Sequence, residues 1–298
     1  MTELDLTLRD GRTLHVYDGG DPAGRVVVEH HGTPGSGLAY PPDLELARER
    51  GLRILSYDRA GYGGSTPNPG RSVVDVVADV DDVLDEIGVE RYVSLGGSGG
   101  CPHSLACGAR SQRCLAAAVI AAPTPYPADG LDWLAGMGEQ NVDEFNAAME
   151  GSQRLESFLE PEAAELRAAK PEQVKDLMAT LLPPVDAAVL TGDRAAHWKR
   201  SSDRAIAQGV PGWRDDDLAF VKPWGFELAE IRVPTLLWQG EQDKMVPVAH
   251  GRWLADRIPG VEAHISEEDG HLSIAVGRLG EIYDWLLEAS EADASLTG

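Results

Sequence analysis

The sequence predicts an α/β protein: a mostly parallel β-sheet with helices on both faces, interrupted by an inserted helical block. Three observations carry this expectation. Short apolar strand-like runs alternate with amphipathic helical stretches before residue 123 and again after residue 233, the pattern of a parallel sheet covered on both sides. The stretch 124–232 reads as mostly helical and shows no strand pattern. Finally, a strand-like run over 92–95 enters Gly96-Gly97-Ser98-Gly99-Gly100 and opens at once into a small-residue helical segment.

The elements follow in order. Residues 3–8 and 12–18 alternate apolar and polar around Asp10-Gly11, a hairpin signal. Val26-Val27-Val28-Glu29-His30 reads as a buried strand running into His31-Gly32-Thr33-Pro34-Gly35, a loop of small or rigid residues whose amides can face a ligand. A helical stretch near 43–50 precedes a strand over 53–57, which ends at Asp58-Arg59-Ala60-Gly61-Tyr62-Gly63-Gly64-Ser65. Residues 72–88 give the clearest helix: Ser72 and Asp75 fit a capping box, apolar positions recur at helical spacing, and Gly88 stops it. Another strand is expected over 115–121. The inserted block has acidic amphipathic segments near 139–149, 152–169 and 171–181 and nine aromatic residues. Strand 233–238, a helix near 247–257, a short strand near 261–266 and a helix over 272–287 complete the pattern. The expected organisation is a core of 1–123 and 233–287, a helical cap of 124–232, and a disordered tail of 288–298.

Composition narrows the function. At 298 residues the chain can bury a substantial core, and 43% hydrophobic with 25% charged residues describes an ordinary globular protein. Against 49 acidic residues stand 26 basic ones, giving a net charge of −23. Such a surface repels nucleic-acid phosphates and anionic membranes, so neither is expected as a partner. Cys101, Cys107 and Cys114 make an odd count without metal-ligand spacing, against a disulfide framework or a zinc site. The first eight residues lack a basic region followed by an apolar run, so a cytoplasmic protein is expected.

The chemistry centres on Ser98. A serine at so sharp a turn projects its hydroxyl above the sheet, beside the free N–H groups of the next helix. It is a poor nucleophile alone and needs a base oriented by a third group. Asp243, just past a strand in Gly240-Glu241-Gln242-Asp243, and His271, just before the last helix in Gly270-His271, supply an acid and a base in matching contexts. Glu241 rivals Asp243 from two residues away, and other histidines exist. His31 reads as a brace for its loop, Asp58 and Arg59 as a supporting turn, and His103 and Cys101 as packing residues. Asp215-Asp216-Asp217 reads as a helix start or surface turn; Glu139, Glu144 and Glu150 read as a solvated helix face, with contact to a substrate amine as the alternative.

His31-Gly32-Thr33-Pro34-Gly35, the 58–65 stretch, Gly96-Gly97-Ser98-Gly99-Gly100, the 240–243 segment and Gly270-His271 together resemble the α/β-hydrolase fold superfamily. Within it the chain is similar to the capped group that includes proline iminopeptidases and epoxide-hydrolase-like enzymes. The resemblance spans about 3–287 and weakens across the cap. It implies a Ser98–Asp243–His271 triad, an oxyanion hole formed by the amides of Thr33 and Gly99, and support from His31 and Gly32. No metal or organic cofactor is implied. Thr33 and Gly99 stand where iminopeptidases carry glycine and tryptophan, and 58–65 departs from their D-Q-R-G pattern, which points away from proline-specific peptidase activity. A serine at the elbow departs from epoxide hydrolases and haloalkane dehalogenases, which use aspartate. The expected function is a serine hydrolase acting on a small ester, amide or lactone. An iminopeptidase-type aminopeptidase, an acyltransferase, a carbon–carbon bond hydrolase, a perhydrolase and a non-catalytic ligand-binding member remain alternatives. The cap aromatics Trp133, Phe145, Trp198, Trp213, Phe220 and Trp224 are candidates either for the pocket wall or for the cap's own core.

Overall fold

The computed structural model describes residues 1–294. Strands β1 (Thr2–Thr7) and β2 (Thr13–Gly20) pair antiparallel, and Gly11 takes the left-handed φ of +88° that their turn requires. There follow β3 (Arg25–His30), α1 (Pro41–Glu49), β4 (Leu52–Tyr57), α2 (Val76–Glu86), β5 (Tyr92–Gly97), α3 (Cys101–Arg110) and β6 (Cys114–Ile120). The chain then turns helical through α4 (Glu139–Glu150), α5 (Ser152–Ala168), α6 (Val174–Leu177), α7 (Pro184–Val189), α8 (Gly192–Ala205) and α9 (Pro211–Phe220). Finally come β7 (Thr235–Gly240), α10 (Val248–Ala255), β8 (Glu262–Ser266) and α11 (His271–Ala294).

The eight strands form one sheet in the order β1-β2-β4-β3-β5-β6-β7-β8. Strand β2 pairs antiparallel with both β1 and β4, and every pairing from β4 across to β8 is parallel. The parallel strands therefore end at one edge, where the loops after β3, β5, β7 and β8 converge.

Strand pleating sorts the core. Val26 and Val28 of β3 join the cluster beneath α2, α3 and α10, whereas Val27 joins the opposite cluster beneath α1 and α11. Both faces of the sheet are thus covered, which is why its central strands are apolar without alternation. The inserted helices have a core of their own, built from Leu155, Leu159, Ala163, Ile206 and Trp213, with Tyr62 of the sheet domain packed into it. The Ser72 amide donates to Asp75 at 2.8 Å, the expected capping box, although the first turn is a 3-10 turn and α2 proper begins at Val76. Among the described residues, no helix is long and apolar enough to cross a membrane.

Two expectations are corrected. The segment 171–181 is a 3-10 turn and the four-residue α6, because the Leu177 carbonyl accepts from the Gln140 side-chain amide at 2.7 Å and the chain then turns along the pocket. The helix expected to end near 287 continues as α11 through Ala294, so most of the supposed disordered tail is helical. No glycine or proline lies between Leu287 and Ala294, and Ser290 stays buried with its hydroxyl on the Leu287 carbonyl. Residues 295–298 of that tail lie outside the described residues.

Candidate active site

The turn after β5 is the sharpest feature of the sheet edge. Ser98 adopts a left-handed φ of +52°, uncommon for a residue with a Cβ, and begins the short 3-10 turn leading into α3. The loop after β3 lies against it. A Cβ placed on Gly99 would meet Thr33 Oγ1 at 2.3 Å and the Thr33 amide nitrogen at 3.1 Å, so only glycine allows these two residues to approach.

His271 and Asp243 meet across the neighbouring loops. His271 Nδ1 donates to Asp243 Oδ2 at 2.8 Å, and both residues are buried. Asp243 is itself held: its Oδ1 accepts from the amides of Met245 and Val246, each at 2.8 Å, and its Oδ2 accepts from Gln239 Nε2 at 3.1 Å. Burial alone would depress the His271 pKa, but Asp243, with Asp186 adding, raises it above the ordinary 6.5. The rival Glu241 lies outside this arrangement, paired with Arg252 at the surface.

His31 and Gly32 occupy the loop that carries Thr33. His31 Nδ1 donates to the Gly32 carbonyl at 2.7 Å and its Nε2 accepts from the Arg59 amide at 3.0 Å, so both ring nitrogens are engaged. Burial and the nearby Arg59 cation hold its pKa well below 6.5. Arg59 also donates to the carbonyls of His31 and Gly32 and, at 3.1 Å, to Thr33 Oγ1. Asp58 fastens the other side, accepting from the Gly37 amide at 2.9 Å and the Gly64 amide at 3.0 Å. His103 and Cys101 are buried behind the elbow, and burial lowers the histidine pKa to about 4.

The inserted block contributes what local sequence reading missed. Asp215, Asp216 and Asp217 lie within α9 and are buried, correcting their assignment as a helix start or surface turn. Asp216 accepts from Arg59 at 2.6 Å, Arg71 at 2.8 Å, the Tyr62 hydroxyl at 2.9 Å and the Thr33 hydroxyl at 2.7 Å. Burial opposes its ionisation, but Arg59 and Arg71 outweigh that and hold it well below the usual carboxylate range. Losing one partner of such a buried pair costs about 3–5 kcal/mol.

A cavity of about 510 Å³ opens over these groups, within the range of small-molecule sites. Ser98, Gly99, Gly32, Thr33 and His271 border one end, and Trp133, Phe145, Trp198, Trp213 and Phe220 form apolar walls. Trp224 is a correction: it packs in the sheet core beside Phe226, their ring centroids 5.9 Å apart, and does not border the cavity. Glu144 is a second correction, since it faces the cavity instead of solvent and accepts from Trp213 Nε1 at 2.7 Å.

Asp217 also borders the cavity, fully buried. Burial, then the adjacent Glu144 charge, raises its pKa well above 3.8, so its carboxyl proton dissociates at higher pH than that of an exposed aspartate. Folded Asp217 keeps this proton to higher pH than the unfolded chain does, so stability falls as pH rises from about 3.8 toward the folded pKa. Asp217→Asn offers an amide donor toward Glu144 and removes that dependence. Calorimetry should find the variant melting about 2–4 °C above the parent at neutral pH, with the gap closing toward pH 4. A gap independent of pH would contradict the assignment.

The family model described as alpha/beta hydrolase fold matches residues 25–277. Among curated proteins, the chain is 28% identical to a 2-hydroxy-6-oxononadienedioate/2-hydroxy-6-oxononatrienedioate hydrolase of Cupriavidus pinatubonensis, over 91% of this chain and 89% of that protein. It is 24% identical to a probable proline iminopeptidase of Leptolyngbya boryana, over 91% and 89% respectively. Among solved structures, a hydrolase from Pseudomonas aeruginosa superposes with a TM-score of 0.69 at 19% identity, over 97% of this chain and 98% of that one. By its sequence and its sheet order alike, the chain belongs to the alpha/beta hydrolase fold family, as a hydrolase.

Proposed function

We propose that the protein is a serine hydrolase that cleaves a small ester, amide or lactone through an acyl-enzyme on Ser98. The observation supporting this most directly is the 2.8 Å His271–Asp243 hydrogen bond at a cavity that Ser98 also borders. In this reading His271 Nε2 takes the Ser98 Oγ proton as the oxygen attacks the substrate carbonyl carbon. The Thr33 and Gly99 amides stabilise the resulting oxyanion, a contribution of roughly 3–4 kcal/mol for one donor. As the tetrahedral adduct collapses, the leaving group departs with the proton from His271. A water activated by the same imidazole then releases the acid. The block between β6 and β7 acts as the cap that shapes the substrate's binding space. A fluorophosphonate should leave one adduct per chain, mapped by peptide mass to Ser98. Modification at another residue, or none, would overturn the reading.

The aminopeptidase-type alternative draws support from the cavity's charge. Glu144, Glu162, Glu165 and Asp176 border it, and among the described lining residues there is no lysine or arginine. A dianion of the kind named for the Cupriavidus relative would meet like charge here. The wall suits a substrate that is neutral or carries an ammonium group. Like-charge juxtaposition costs several kcal/mol, so kcat/KM for an aminoacyl ester should exceed that for its carboxylate-bearing isostere by about 100-fold. Equal rates, or a preference for the anion, would remove this alternative.

A further inference from the structure

Helix α11 begins at His271, so its first amides have no partner within the helix. The residue that would ordinarily cap them is Gly270, which has no side chain. A carboxylate from 85 residues earlier does so instead. Asp186 Oδ2 accepts from the His271 amide at 2.8 Å, while its Oδ1 accepts from the Leu272 amide at 2.9 Å, the Ser273 amide at 2.8 Å and the Ser273 hydroxyl at 2.9 Å. Asp186 lies in α7 and is fully buried. The fit also explains the glycine: a Cβ on Gly270 would sit 2.5 Å from Asp186 Oδ2.

His271 is consequently held at two points. Asp243 grips the ring at Nδ1, and Asp186 grips the backbone from which the ring projects. A backbone anchor matters because misplacing a reacting group by about 1 Å can cost a hundredfold in rate.

We propose that Asp186 is a positioning residue for His271, fixing the first turn of α11 so that the imidazole faces Ser98. This rests on the reading of His271 as the general base. Asp186 touches no substrate and acts only through the histidine. Two charged groups bear on the imidazole from the elements around it, Asp243 from the turn after β7 and Asp186 from α7. Burial lowers the His271 pKa while Asp243 and then Asp186 raise it, so neutralising Asp186 removes one of the two upward influences.

The test is Asp186→Asn, which keeps the shape and removes the charge. We expect kcat on an activated ester to fall about 10- to 100-fold, with KM within about twofold of the parent. The acid limb of the kcat/KM profile should move to lower pH, and the fluorophosphonate labelling rate of the folded fraction should fall with kcat. An unmoved acid limb, with activity lost only in proportion to unfolded protein, would overturn the proposal and leave Asp186 a structural cap. If the asparagine variant does not fold, Asp186→Ser, a neutral residue well suited to capping, takes the same measurements against the same criteria. Labelling of the parent separates the two readings. A parent unlabelled at Ser98 overturns the catalytic assignment and this proposal together, whereas a labelled parent with an unmoved limb in the variant overturns this proposal alone.

Discussion

Alanine at position 98 is expected to reduce kcat on an activated ester by about 10⁵- to 10⁶-fold, the scale on which loss of the nucleophile acts in serine-hydrolase triads. The change removes one oxygen from a residue at the cavity edge, so melting temperature should stay within a few degrees of the parent. It also relieves little strain, because alanine shares serine's Cβ and thus its reluctance to adopt a φ of +52°. Residual turnover above the uncatalysed rate would come from amides that still bind the oxyanion. Turnover within tenfold of the parent would rule Ser98 out as the nucleophile.

The second large effect concerns the carboxylates after β7. Asp243→Asn should lower kcat by about 10⁴-fold, because an amide at this position no longer selects the imidazole tautomer with its proton on Nδ1. Met245 and Val246 can still donate to the remaining side-chain oxygen, so the loop should keep its shape. Glu241→Gln loses only a surface pairing with Arg252, worth about 0–1 kcal/mol, and should leave kcat within about twofold. The comparison distinguishes two acids two residues apart under otherwise equal conditions. A deep loss in the glutamine variant with an active asparagine variant would reverse their roles.

Local patterns made the alternation of strands and helices legible, together with the serine turn and the Gly270-His271 junction, because each is encoded within a few residues. The family resemblance, more than any local pattern, pointed to Asp243 over Glu241; both follow β7, and in the structure only Asp243 turns inward to meet His271. Asp216 was misread for the opposite reason. Three consecutive aspartates suggest solvent, and its partners Arg59 and Arg71 lie 157 and 145 residues away. Asp186 gave even less signal, since an acid in the first turn of a short helix reads as belonging to that helix's own dipole. Glu144 looked like one member of a solvated acidic face until the neighbouring helices closed around it. Buried charges find partners at long sequence separation, and periodicity carries no information about those pairings.

The two aspartates have a consequence for how this architecture can be re-engineered. The segment between β6 and β7 carries Asp216, which holds the Thr33 loop, and Asp186, which holds the first turn of α11. It is therefore not an interchangeable accessory. A graft from a relative with a different pocket would bring new walls, yet it would strand Arg59 and Arg71 without a counter-ion and leave the amides of α11 uncapped. Recombination at these boundaries has to transplant both carboxylates at their present positions, or redesign the sheet-side partners with them. On the proposed reading, the walls of the pocket and the placing of Thr33 and His271 are inherited as one unit.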